Sequence, residues 1–104
     1  MAKYIEVATT EDSEKKAQAI ADHLVDQRLA ACVQIVPIAS TYRWEGKVEH
    51  ASEWLCLAKT EDGKYQQVEE AIKQVHAYDE PDTIAKPILS GSTGCLDWVA
   101  KVLY

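Results

Sequence analysis

Residues 40–48, Ser40-Thr41-Tyr42-Arg43-Trp44-Glu45-Gly46-Lys47-Val48, decide the fold. β-Branched and aromatic residues lead into Glu45-Gly46, a pair that suits a tight hairpin turn, and Val48 opens the return. Upstream the same character runs through Cys32-Val33-Gln34-Ile35-Val36. Pro37 follows and cannot donate to a ladder, so it predicts a bulge or an edge strand. Downstream, Trp54-Leu55-Cys56-Leu57-Ala58 forms the returning arm. The arms are then about fourteen residues long, where roughly five or six are usual. A ribbon of that length outreaches a small sheet, and Tyr42, Trp44 and Val48 on its distal part need a partner surface. The simplest partner is another copy of the chain, with Tyr42, Trp44 and Trp54 as expected interface anchors.

Working outward, residues 4–8 read as a short strand with Ile5 and Val7 on one face. Thr9 and Thr10 end it; Thr10 is placed to cap a helix whose first turn carries Glu11, Asp12 and Glu14. Ala17, Ile20, Ala21, Leu24 and Val25 form that helix's single apolar stripe. Beyond the hairpin, Asp62-Gly63 turns the chain into a second helix, with Tyr65, Val68, Ile72 and Val75 facing inward. Residues 76–82 read as a loop, because Pro81 restricts Glu80 to extended geometry. Residues 83–89 predict a last strand, with Pro87 confining it to an edge or an end. Gly91-Ser92-Thr93-Gly94 opens a final helix with Leu96, Val99, Ala100 and Leu103 on one face. The order βαββαβ plus a C-terminal helix fits an α+β, split βαβ sandwich over residues 1–104, with two helices on one face of an antiparallel sheet.

Composition narrows the function. The 104 residues are 47% hydrophobic and 27% charged, with a formal net charge of −6. No segment concentrates Lys and Arg as phosphate binding requires, so no nucleic acid partner is expected. The longest apolar stretch, residues 29–38, is broken by Gln34 and Pro37, so no membrane span is expected. The start of the chain shows no apolar signal region, which points to the cytoplasm. Cys32, Cys56 and Cys95 are an odd, widely spaced set and read as reduced, buried thiols. No nucleophile elbow, metalloprotease helix or phosphate loop is present, so the chain is not expected to be an enzyme.

His76 is the residue most suggestive of chemistry. Tyr78, Asp79, Glu80 and Asp82 follow it, and an imidazole beside carboxylates binds divalent metals such as copper or zinc. The plainer reading has His76 interacting with the helix end, where a cation is favoured. His50 lies beside Glu49 and Glu53 and reaches a site only across a subunit boundary; His23 reads as solvent-facing. Gly91 through Gly94 offers either amides for an anion or an ordinary helix cap.

Several segments together resemble the CutA family of divalent-cation-tolerance proteins. They are Ala30-Ala31-Cys32-Val33-Gln34-Ile35, Tyr42-Arg43-Trp44-Glu45-Gly46-Lys47-Val48, Glu53 leading to Lys59-Thr60, His76-Ala77-Tyr78-Asp79-Glu80-Pro81, and Gly91 through Trp98. The resemblance implies a ferredoxin-like subunit in a tight homotrimer, with long hairpins reaching onto neighbours and kinship to the trimeric PII signalling proteins. It implies divalent-metal tolerance, copper binding among members, and a protein-anchoring role in animals, with no obligatory cofactor and no reaction. The family's loop typically reads His-Pro-Tyr-Glu; here Ala77 replaces the proline and Asp79 the glutamate. Where some members carry a cysteine and a second histidine, this chain has Ala8 and Val75, neither of which ligates metal. His76 and Asp79 are then the expected metal residues, aided by water or a neighbouring subunit. The rival expectation is a small anionic ligand in the inter-subunit cleft, met by Tyr78, Lys86 and Gly91; a third is a stable trimer scaffolding an unidentified protein.

Overall fold

The computed structural model describes residues 3–76 and 78–104. Four strands and three helices follow in the order β1 (Tyr4–Glu11), α1 (Glu14–Asp26), β2 (Cys32–Trp44), β3 (Lys47–Glu61), α2 (Tyr65–Val75), β4 (Ile84–Pro87) and α3 (Thr93–Leu103), with a 3-10 turn (Asp62–Lys64) ahead of α2. The sheet has the order β2-β3-β1-β4 and every pairing is antiparallel. This is the split βαβ arrangement expected. Pro37 lies on the edge strand β2, where its missing amide costs no ladder bond to a second neighbour, and Pro87 ends the opposite edge strand β4.

Strand alternation sorts the two faces. Ile5, Val7 and Ala58 point to the side where α1 places Ile20 and Leu24 and α2 places Val68, Ala71 and Ile72; together they form the main core. Val25 and Val75, expected in the helix stripes, are 44% exposed at the helix ends, where no opposing element covers them. Ile72 is 1% exposed, so Ile72→Ala is expected to lower the unfolding free energy by about 3 kcal/mol, read from a shifted urea midpoint with an unchanged slope. On the other face α3 covers one end only, packing Val99 and Leu103 onto Ala31 with Tyr4 beside them.

The first strand runs three residues past its expected end. Thr9, Thr10 and Glu11 continue the ladder opposite Cys56, Leu55 and Trp54. The helix cap is Ser13, whose hydroxyl accepts from the Lys16 amide at 3.2 Å, and not Thr10. Hydroxyl side chains serve strand and cap alike, so local sequence did not separate the two. Glu11 is accordingly 0% exposed within the fold instead of solvated on a first helical turn.

The hairpin has the length expected, with strands of 13 and 15 residues. Glu45 and Gly46 both take positive φ, 49° and 78°, the pattern of the turn whose twist matches antiparallel strands. β1 reaches only to Trp54, so the seven pairs from Ile38↔Glu53 to Trp44↔Lys47 stand beyond the sheet, an overhang of about 23 Å. The radius of gyration, 14.2 Å, exceeds the ~13 Å of a compact chain this size, and the long dimension is 44 Å against 25 and 22 Å. Tyr42, Trp44 and Val48 on the overhang are 45%, 62% and 54% exposed.

Candidate functional site

The face of the sheet not covered by α1 and α2 carries a groove of ≈ 870 Å³. Its floor is apolar, built from Ala8 of β1, Ile38 of β2, Leu55 of β3 and Ile84 of β4. Period-two alternation sets this directly: Ala8 pairs with Leu57 and Ile84, one residue out of phase with the core-facing Val7. Tyr42 and Trp44 extend the wall along the ribbon, and Ser40 and Thr41 lie between them and the floor. The rim is polar. Glu53, Asp79, Glu80 and Asp82 line it from the acidic side, and Lys86 is the cation among the described lining residues.

The loop that carries most of this rim is fastened at three points. Tyr78 Oη donates to Glu53 Oε2 at 2.9 Å, and Thr10 Oγ1 donates to Asp82 Oδ1 at 2.9 Å. Burial, then the Glu53 carboxylate that accepts from it, pushes the Tyr78 phenol well above its ordinary value, so it stays a donor. His76 makes the third fastening. Its Nε2 lies 2.6 Å from the Thr10 carbonyl, and the Tyr78 amide lies 3.0 Å from Nδ1. A carbonyl only accepts and an amide only donates, so the ring carries its proton on Nε2 and accepts at Nδ1. Glu11 Oε2 lies 3.6 Å from that same Nδ1, and both side chains are 0% exposed. The Tyr78 ring packs at 4.8 Å from the imidazole, tilted by 50°.

These contacts assign the expected site residues to different places. His76 ends α2 as its cap, with its own amide donating to the Ile72 carbonyl at 2.9 Å. Its ring turns away from the helix end and toward β1, and both of its nitrogens are engaged within the chain. A metal ion on either nitrogen displaces one of those bonds. Among the described residues no group of three or more His, Cys, Asp or Glu stands close enough to hold a metal ion. A closed site of three or four protein ligands therefore does not fit a single subunit. Asp79 lines the groove rim, apart from the buried imidazole. Ala77, the residue at the family's proline position, lies outside the described residues. Ala8 forms groove floor, and Val75 is exposed on α2.

Of the three residues expected in a ligand cleft, Tyr78 and Lys86 line this groove of the single chain and Gly91 does not. Gly91 sits ahead of α3 against Leu96, where an added Cβ would come within 3.1 Å of the leucine side chain. Ser92 beside it caps α3, accepting from the Cys95 amide at 3.2 Å, which matches the plainer of the two readings of that loop. Trp54 is half-buried and pairs with Pro37 and Glu11 on the face opposite the groove, unlike Tyr42 and Trp44. Sequence reasoning missed Thr10, Glu53 and Asp82 as structural partners of the loop. The alternation of Ile5, Val7, Thr9 and Glu11 was the available signal that β1 continued far enough to reach it.

A four-stranded antiparallel sheet, two helices on one face and a ribbon overhanging an acid-rimmed groove define a small ferredoxin-like α+β protein. Residues 5–102 match the family described as CutA1 divalent ion tolerance protein, and the chain belongs to that family. The divalent-cation tolerance protein CutA of Thermus thermophilus is 44% identical over 96 residues, 91% of this chain and 93% of its own length. Human protein CutA is 40% identical over 86% of this chain, which spans only 51% of that longer relative. Among solved structures, the periplasmic divalent cation tolerance protein CutA of Archaeoglobus fulgidus superposes with a TM-score of 0.95 at 37% identity, covering 97% of this chain and 99% of its own. CutA of Synechococcus elongatus PCC7942 gives a TM-score of 0.95 at 30% identity, covering 100% and 93%.

Proposed function

We propose that this chain acts in divalent-cation tolerance as a homotrimer, meeting its ion in the cleft that the acid-rimmed groove forms with a neighbouring subunit. The observation that carries the reading is the groove itself. An apolar sheet face and an exposed aromatic ribbon border four carboxylates, Glu53, Asp79, Glu80 and Asp82, on one side of the molecule. A second subunit against the apolar part completes the cleft, and the carboxylates supply hard oxygen ligands and a negative potential. Asp79 is the ligand of choice on the loop, and copper or zinc the ion to test. His76 enters as the residue that fixes the loop, not as the first ligand. A cytoplasmic, reducing setting belongs to the same reading, supported by Cys32, Cys56 and Cys95 standing as free thiols. No catalytic step is part of it.

Titration calorimetry with copper and zinc on metal-free protein, with the mass measured on the same samples, tests the reading. Saturable binding by trimers, weakened about tenfold or more by Asp79→Asn, is the expected result. Trimers that bind neither ion, or bind equally after Asp79→Asn, would remove the metal from this cleft.

A second reading is favoured by one specific feature, the Lys86 ammonium among the groove-lining groups. It would serve a small anionic ligand of the kind taken by PII-like sensors. The excess of carboxylates makes it the weaker of the two.

A further inference from the structure

We propose that the core side of the sheet holds one buried water molecule, which bridges the hydroxyls of Thr9 on β1 and Thr83 just ahead of β4. The site goes beyond the preceding reading. It lies within one chain, on the face that α1 and α2 cover, and involves neither the metal nor a neighbouring subunit.

Register sets the two residues across from each other. The β1–β4 ladder runs from Ile5↔Pro87 to Ala8↔Ile84, and beyond it the Thr10 hydroxyl meets Asp82 at 2.9 Å. Thr9 and Thr83 fall between those two observed contacts. The Ile88 amide donates to the Tyr4 carbonyl at 2.9 Å, so alternation puts the bonded rows on this side of β1 at Tyr4, Glu6, Ala8 and Thr10. Pro87 has no amide, and it stands opposite Ile5 in an unbonded row, as that alternation requires. The row of Thr9 and Thr83 is likewise unbonded. Side chains approach most closely in such rows, with Cβ atoms about 5 Å apart. Ala8 and Ile84 line the groove, so their neighbours Thr9 and Thr83 point to the opposite face, toward the core.

Both hydroxyls are enclosed, and neither has a hydrogen-bond partner among the described residues. Thr9 as a whole is 2% exposed. Polar groups close by are committed elsewhere. Cys56, across from Thr9 on β3, donates its thiol to the Ala17 carbonyl at 3.8 Å. The two His76 nitrogens are held by the Thr10 carbonyl and the Tyr78 amide. A buried hydroxyl with no partner costs stability, and one shared water removes that cost for both residues. Two facing hydroxyls that do not bond each other have the span that a single water bridges. A hard cation does not suit the place, since it needs about six or more oxygen ligands. The bridge ties the end of the acidic loop to the central strand, as His76 ties its start.

The test is a crystal structure of the unaltered chain at a resolution that shows ordered water, with urea unfolding of Thr9→Val, Thr83→Val and the double variant at one protein concentration. One water oxygen within hydrogen-bond distance of both hydroxyls is expected. Valine keeps the branched shape of threonine and removes the hydroxyl. Each single substitution should therefore strand the remaining partner and lower the folding equilibrium constant about fivefold or more. The double variant should be no less stable than the less stable single one, because no stranded hydroxyl remains. A single substitution that raises stability, or two whose effects simply add, would overturn the proposal. So would coupled substitutions in a protein whose crystal shows no water between the hydroxyls, because the two would then bond directly. The crystal of the unaltered chain decides the point even where a variant fails to fold.

Discussion

Trp44→Glu is expected to sediment as a monomer at micromolar concentrations, and the unaltered chain as the trimer proposed above. Trp44 is 62% exposed on a ribbon that overhangs the sheet by the seven pairs ending at Trp44↔Lys47, and Tyr42 and Val48 are exposed beside it. A large aromatic residue in that position is the usual anchor of an interface, and truncating such an anchor costs about 2–4 kcal/mol per contact. A buried carboxylate adds its own desolvation cost. Each subunit of a closed ring gives and receives the same contact, so one substitution weakens every interface and association falls by tens to hundreds of fold or more per contact. Secondary structure should be retained, because Trp44 lies outside both core clusters. An unchanged trimeric mass at sub-micromolar concentration would show that the ribbon does not carry the assembly.

His76→Ala is the second large effect expected. The substitution strips the Thr10 carbonyl and the Tyr78 amide of their partner and leaves a void where a side chain is 0% exposed. Unmade hydrogen bonds and cavity together should cost about 3 kcal/mol of stability. The loss should be local before it is global. Amides of residues 78–82 are expected to exchange faster than those of β1, because Tyr78–Glu53 and Thr10–Asp82 then hold the loop without the imidazole between them. The same variant with exchange rates unaltered in that loop would remove the clamp from the account. Asp79→Asn, by contrast, should leave loop exchange unaffected, so a metal effect of Asp79 and a structural effect of His76 are separable.

The hairpin was legible because its signals are local. Glu45-Gly46 dictates the turn, β-branched and aromatic residues dictate the arms, and Pro37 dictates an edge; each acts through its immediate neighbours. The buried stripes of α1 and α2 were legible for the same reason, apart from Val25 and Val75, whose burial depended on what lay opposite the helix ends. The end of β1 was not legible. Thr9, Thr10 and Glu11 have side chains suited to a cap and a first helical turn, and their place in the ladder depends on distant partners, Cys56, Leu55 and Trp54 of β3.

The candidate site divides along the same line. The sequence by itself determined an α+β chain of the right element order, a ribbon longer than its sheet, exposed aromatics that need a partner, and an acidic segment after the second helix. Only the tertiary structure decided what those parts do to one another. It turned the His76 ring onto the Thr10 carbonyl, 66 residues away in the chain, and so spent both nitrogens that a ligand would need. It brought Glu53 under Tyr78 and Asp82 against Thr10, making one rim from three segments. The physical reason is that periodicity and turn chemistry act over a few residues, whereas the partner of a buried polar group is fixed by which distant segments the packed core brings within about 3 Å.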